Sequence, residues 1–391
     1  MRIAFVSTMH SGSWGGSEEL WSQAALKLRR EGHQVFASIV SWIRDCDQVV
    51  ELAKNGIQVE THSPHLGLAR STWQNFKYGG PKYYHRLKQF DPDLIVISQG
   101  HNSGGFDWAK VAREISKPYV VIVQCNGDQW WFGDQLNDAV ETYTRAQKVL
   151  CVSHRNLDLL RIQLGEPLLN AEVIWNPFSV LPNPIPAWPE ETGVWRMVCP
   201  ARLFPPAKGQ DLLLQILALP QWRSRSVELN LFGTGPDELA LRRMVTMLKL
   251  QNVHFRGYAS NVLDIWKQNH MLVLPSRYEG VPIVMVDAMW CARPAVVTDV
   301  GDNASLCVEG ETGFVASAPT VSSFSEAMER AWQRREDWQQ FGLAARTRAE
   351  ELIPSDPISV YCDTLRNCVA ESLKNHRQDD VLERVSKEEL L

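Results

Sequence analysis

Two stretches of this chain hold side chains whose types and spacing could do chemistry. In "CPARLFPPAKG", Arg202 and Lys208 follow an apolar run that ends near Pro200. In "LPSRYEGVPIVMVDAM", Glu279 stands in a Glu-Gly-Val-Pro turn that opens a helical pattern carrying Asp287. An arginine fork and a mobile lysine charge at the end of one strand suit a diphosphate. Solvated surface cations are the ordinary alternative when such a loop stands alone. Pro282 fits the first position of a helix, because its missing N–H is not needed there and its φ is already helical. That leaves the N–H groups of Ile283 and Val284 at the helix's positive end, where a phosphate is stabilised. Glu279, next to Gly280, can accept hydrogen bonds from sugar hydroxyls. Asp287 lies one turn beyond Ile283 and leans back toward the amino end, toward a ribose held there. The plainer reading of Asp287 is an acid favoured by the helix dipole.

Groups of this kind need elements to carry them. Short apolar runs alternate with longer amphipathic ones from the first residue, the pattern of a parallel, doubly wound α/β sheet. "RIAFVST", "VFASIV", "DLIVISQ", "YVVIVQC" and "KVLCVSH" read as strands, with "GSEELWSQAALKLRREGHQ" as the helix after the first. They make one Rossmann-like domain over residues 1–176. Five prolines between Pro177 and Pro189 mark residues 177–192 as a linker. A second alternation over 193–355 contains the strands "WRMVCPA", "VELNLFG", "VHFRGY", "MLVLPS" and "PAVVTD". It ends in a long helical stretch, "SFSEAMERAWQRREDWQQFGLAARTRAEEL". The helical tail, 356–391, is expected to pack back on the first domain. Two such halves facing each other would put a cleft at the carboxyl ends of both sheets.

The bulk numbers narrow the partners. At 391 residues the chain exceeds one ordinary core. Its net charge of -5 argues against nucleic acid as a partner. Eight cysteines show no C-x-x-C pair, and the strand positions of Cys125, Cys151 and Cys199 predict buried thiols in a reducing cytoplasm. No apolar run reaches the length of a transmembrane helix. Most of the fifteen tryptophans are expected in cores and grooves.

Taken in order, "ARLFPPAKG", "LNLFGTGPDE", "NVHFRGY", "LPSRYEGVPIVMVDAM", "RPAVVTDVGD" and "GETGFV" resemble the motifs of the retaining GT-B glycosyltransferases of family 4. The resemblance implies a GT-B fold of two Rossmann-like domains across a cleft. It implies hexosyl transfer from a nucleotide sugar, UDP-glucose before GDP-mannose, with retention at the anomeric carbon, no metal and no further cofactor. The acceptor it implies is a saccharide or lipid-linked saccharide of polysaccharide synthesis, handled in the cytoplasm or at the inner face of a membrane. Arg202, Lys208 and Glu279 then become the catalytic set. Gly280, Pro282, Ile283, Val284 and Asp287 join them in binding the donor.

Several positions depart from the family's pattern. Its two acids are both glutamates, so Asp287 is one methylene short and its ribose contact is expected to lengthen or to pass through water. The paired glycines after "VVTD" appear as Gly301 and Asp302, and the acid that often follows is Ser305. Gly233 and Gly235 in "FGTGPDE" resemble a phosphate-loop fragment but lack the third glycine of a dinucleotide fingerprint, a turn between strand and helix explains them as well, and no dehydrogenase is indicated. In "MHSGSWGGSEELW", Gly12, Gly15 and Gly16 separate a strand from a helix, with Ser17 near the cap and Glu18 in the first turn. Such a loop touches donor phosphate or acceptor in the family, and a plain glycine-rich turn is the alternative. After "YVVIVQ" the family commonly has a histidine near the reacting sugar, where this chain reads "QCNGDQWW". Gln124 or Asn126 is expected in its place, with Trp130 and Trp131 stacking on an acceptor sugar or buried.

Three other features complete the reading. The acid pairs Asp91/Asp93 and Asp45/Asp47 resemble a metal-binding motif, but Asp91 and Asp93 precede a strand and fall at the wrong sheet edge, so they are assigned no metal. Between residues 61 and 90 there is no acid, while Arg70, Lys77, Lys82, Arg86 and Lys88 alternate with aromatics. A solvated face is the ordinary explanation for this segment, and peripheral contact with an anionic membrane or a diphosphate lipid is the alternative. A sugar-phosphate synthase or phosphorylase, or a non-catalytic nucleotide-sugar sensor, would use the same architecture. The complete Arg, Lys and Glu set weighs against the sensor.

Overall fold

A computed structural model of the chain describes residues 1–9, 14–40, 43, 45–62, 82–190, 192–259 and 261–388. Most of the basic–aromatic segment, residues 63–81, and Gly12 lie outside the described residues. The chain divides into two compact units, Met1–Asn176 with Asp356–Leu391, and Pro177–Ser355.

The first unit is built on seven parallel strands, β1 (Arg2–Ser7), β2 (Gln34–Val40), β3 (Gln58–His62), β4 (Leu94–Gln99), β5 (Tyr119–Val123), β6 (Lys148–Cys151) and β7 (Ala171–Val173), in the order β3-β2-β1-β4-β5-β6-β7. The inner strands are mostly apolar because helices cover both faces of the sheet; every residue of "LIVISQ" and of "YVVIV" is buried. The C-terminal helix Pro357–Glu388 covers part of one face. Its Ile358, Tyr361, Cys362, Leu365, Cys368 and Val369 recur at helical spacing and join the cluster around Phe5, Leu20 and Trp21. An ion pair from Arg366 to Glu31 fixes its outer side, and Gln147 Nε2 donates to Cys368 O at 2.6 Å.

The second unit repeats the plan with β8 (Trp195–Pro200), β9 (Val227–Phe232), β10 (Val253–Gly257), β11 (Met271–Leu274), β12 (Ala295–Thr298) and β13 (Gly313–Ala316), in the order β10-β9-β8-β11-β12-β13. All pairs are parallel, with Leu272 opposite Val198 and Ala295. In each sheet the order reverses where the first and fourth strands meet, β1/β4 and β8/β11. Beyond such a reversal, adjacent loops diverge and leave a crevice at the strands' carboxyl ends.

Three features differ from what the sequence predicts. Strands β3, β7 and β13 were not expected; all three are sheet edges, short and in part polar or half-buried. The single helical stretch after Ser323 is two helices, Val321–Gln333 and Trp338–Leu352, broken at Arg335–Asp337. The break turns Trp338 inward, where its Nε1 donates to Ala331 O at 2.8 Å and its ring meets Trp195 edge-on at 5.0 Å. Cys125, past the end of β5, is only half-buried, whereas Cys151 and Cys199 are buried. Among the described residues no helix is long and apolar enough to cross a membrane.

Candidate functional site

In the second unit, four loops at the carboxyl ends of β8, β9, β11 and β12 lock together. The loop after β8 is pinned by Leu203, whose N–H donates to Thr234 O at 3.0 Å while its carbonyl accepts from Asp237 N at 3.2 Å. It then forms the short helix Pro205–Lys208, stopped by Gly209 at φ +66°. A side chain at Gly209 would bring Cβ within 2.0 Å of Pro275 O, so this loop packs backbone to backbone against the one after β11. Arg277 braces the contact with two bonds of 2.8 Å to Asp211 and one of 2.5 Å to Pro205 O. On the other side Thr298 Oγ1 donates to Ser276 O at 2.6 Å and Asp302 N to Gly280 O at 3.1 Å. Gly301, at φ +52°, lies so close that a Cβ would fall 2.1 Å from Gly280 O.

This frame places the expected set. Lys208 Nζ lies 2.5 Å from Glu279 Oε1, which also accepts from Ser276 Oγ at 2.8 Å. Glu279 is 8% exposed. Arg202 is half-buried, and among the described residues its guanidinium has no ion-pair partner. The helix Ile283–Trp290 begins one residue later than expected: Pro282 is its N-cap, with φ -66° and ψ 121°, and its carbonyl accepts from Met285 N at 3.0 Å. The N–H groups of Ile283 and Val284 have no hydrogen-bond acceptor among the described residues, which keeps this helix start suited to an anion.

Asp287, expected near the donor's ribose, is bonded to backbone amides. Only 3% exposed, its Oδ1 accepts from the backbone N–H of Ser179 at 2.7 Å and of Val180 at 3.3 Å. Burial pushes its carboxyl up to about 6, against the pull of those bonds.

In the first unit the helix Gly16–Arg30 starts after Gly15, its N-cap, with Ser17 in the first turn. Ser17 Oγ lies 3.3 Å from Met9 Sδ. Glu18, 1% exposed, accepts from Ser7 Oγ at 3.0 Å and Trp21 Nε1 at 2.7 Å, joining the end of β1 to the helix. Burial raises its carboxyl from 4.5 to about 7. The folded protein therefore holds a proton that the unfolded chain has lost, so stability is highest below about 4.5 and falls as pH rises through about 7. The loss amounts to roughly 3 kcal/mol. Glu18→Gln, which can donate to Ser7 Oγ and accept from Trp21, is expected to melt several degrees above the parent at pH 8 and level with it at pH 5. Melting curves at both pH values check this, and an equal offset at each would remove Glu18 as the cause.

The acceptor-side residues separate. Asn126 is buried and committed: Nδ2 donates to Gln163 Oε1 at 2.9 Å and Oδ1 accepts from Gly127 N at 2.8 Å. With Asn102, whose Nδ2 donates to Trp130 O at 2.9 Å, it shapes the loops after β4 and β5. Gln124 accepts from Asn176 Nδ2 at 2.9 Å, and its own buried Nε2 has no hydrogen-bond partner among the described residues. Trp131 is 62% exposed, the amphipathic surface a sugar face would need, and its Nε1 donates to Asp128 O at 2.8 Å. Trp130 packs against His101, with ring centroids 5.5 Å apart. His101, at the end of β4, was not singled out in the sequence; a lone histidine two residues past a strand was its only signal. Asp91 and Asp93 serve the opposite edge, where Asp91 pairs with Arg2 and Lys117, each at 2.7 Å, and Asp93 accepts from Arg2 N at 2.7 Å.

Two doubly wound parallel units, one carrying a lysine–glutamate pair in the same loop frame as an open helix start, define an α/β protein. Residues 195–334 match the family model described as glycosyl transferases group 1, and residues 14–180 the model described as glycosyltransferase family 4. The chain belongs to these GT-B glycosyltransferases. It is 27% identical over 161 residues to D-inositol 3-phosphate glycosyltransferase of Gordonia bronchialis, covering 37% of this chain and 34% of that protein. It is 22% identical over 364 residues to an uncharacterized glycosyltransferase of Haemophilus influenzae, covering 88% and 94%. The aligned stretch thus spans about a third of the first relative and nearly all of the second. Among solved structures, Anabaena HepE in complex with UDP superposes with a TM-score of 0.73 at 20% identity, over 96% of this chain and 100% of that one.

Proposed function

We propose that the chain transfers a hexosyl group, with retention and without a metal, from a UDP-linked sugar to a saccharide or lipid-linked saccharide acceptor. UDP-glucose is the first donor to try. The observation that carries this reading is the Lys208–Glu279 pair, joined at 2.5 Å in the same loop frame as the open helix start at Ile283. Lys208, Arg202 and the Ile283 and Val284 amides are the groups suited to charge developing on the departing diphosphate. Glu279 holds sugar hydroxyls and keeps Lys208 oriented. The bond from the anomeric carbon to phosphate breaks and the bond to the acceptor oxygen forms, while the acceptor's proton passes to the leaving phosphate oxygen. An amide such as Gln124 cannot act as a base, which agrees with that proton route. HepE, also solved with UDP-glucose, lends the choice of donor its direction.

Melting the protein with UDP, GDP and ADP and with their glucose conjugates tests the reading. UDP and UDP-glucose at about one hundred times Kd are expected to stabilise by roughly 2.7 kcal/mol, several degrees in Tm. A stronger response to GDP or ADP would overturn the choice of base, and no response to any nucleotide would overturn the proposal.

A further inference from the structure

The segment that enters the second unit at Pro177 is stitched to one helix and its surroundings. Asp287 Oδ1 takes two consecutive backbone N–H groups, Ser179 and Val180. Phe178 packs on Trp290 with centroids 5.3 Å apart. Arg346 Nη1 donates to Trp290 O at 2.5 Å and to Pro182 O at 3.5 Å, and Arg293 Nη2 donates to Ala187 O at 2.6 Å. Asp287 is buried under this segment, and its Oδ1 is taken up by two peptide amides of the segment. Its length is matched to that task, since one more methylene would carry the carboxylate past both amides.

We infer that Asp287 is a positioning residue: it clamps the connecting segment at Ser179 and Val180 to the donor-side helix Ile283–Trp290 and does not bind the donor's ribose. The inference rests on the proposed role of that helix in holding the diphosphate. With the clamp closed, the helix and the point where the chain enters the second unit form one rigid piece. Slack at that point lowers the rate of a transfer that needs two substrates aligned, and leaves the affinity for the donor alone unchanged.

The test compares the full-length parent with Asp287→Ala, Asp287→Asn and Asp287→Glu, reading amide exchange at residues 179 and 180, the Kd of UDP, and kcat and KM for the donor. In Asp287→Ala the two amides are expected to exchange about tenfold faster or more, with UDP affinity within about twofold and the loss falling on kcat. Asp287→Asn keeps an acceptor oxygen in place and is expected to restore both protection and kcat. UDP binding weakened about tenfold in Asp287→Ala, or unchanged protection of the two amides, overturns the inference. Should Asp287→Ala fail to fold, the other two variants decide: Asp287→Glu must expose the amides and Asp287→Asn must not, and the reverse order overturns it. If UDP does not bind the parent, the proposed function fails while the exchange comparison still reports on the clamp.

Discussion

Lys208→Ala is expected to lower kcat about a hundredfold or more while the protein melts within a few degrees of the parent. The asymmetry follows from where Lys208 sits. Its ammonium is about a quarter exposed and water can fill the gap it leaves beside the buried Glu279, so the cost to folding is roughly 1–3 kcal/mol. Glu279 keeps the bond from Ser276 Oγ when the ammonium is gone, and the frame of Arg277, Asp211, Gly209 and Gly301 has bonds and close contacts of its own. In the proposed reaction, by contrast, negative charge grows on the diphosphate as the sugar departs, and a preorganised cation is favoured more in the transition state than in the ground state. The loss should therefore appear in kcat with saturating donor. Steady-state kinetics beside a melting curve reads both quantities. Near-normal kcat would remove Lys208 from the leaving-group site.

How much of this was legible in the sequence depended on how local each cause was. The inner strands announced themselves as continuous apolar runs because parallel strands are buried on both faces. The edge strands β3, β7 and β13 did not, since "QVETH" and "AEV" carry polar residues and "GFVA" is only four residues long. The loop positions of Arg202, Lys208 and Glu279 were readable because a strand end, a proline and a turn fix them within a few residues. The braces that hold them were not, because Arg277–Asp211 and Thr298–Ser276 join loops far apart in sequence. Asp287 shows the limit most sharply: its helical position was right, but its partner amides stand 108 and 107 residues earlier. Asn126 is a similar case, chosen as a stand-in for a histidine near the sugar yet occupied by Gln163 on the helix His154–Leu164.

Arg293 lay in the quoted motif "RPAVVTD" without a role, and it supports the second large prediction. It is 1% exposed and none of its hydrogen bonds goes to a carboxylate. Burial lowers its guanidinium from 12.5 to about 10, so the charge persists at neutral pH. Its counter-charge is the carboxyl ends of two helices. Nε donates to Trp266 O at 2.9 Å and Asn269 O at 3.0 Å, at the end of Val262–Gln268, while Nη1 donates to Cys291 O at 2.8 Å, just past Ile283–Trp290. Helix ends present unpaired carbonyls and a partial negative charge, so one buried fork satisfies both and reaches Ala187 O as well. Removing it strands several buried acceptors, each costing about 1–3 kcal/mol, and opens a cavity. Arg293→Ala is therefore expected to destabilise the second unit by about 3–5 kcal/mol, lowering its melting transition by roughly 10 °C. Arg293→Lys, with a compact ammonium that cannot span two helix ends, should recover about half. Calorimetry of the full chain resolves the outcome, and a shift below about 2 °C would mean that the two helix ends are satisfied without the arginine.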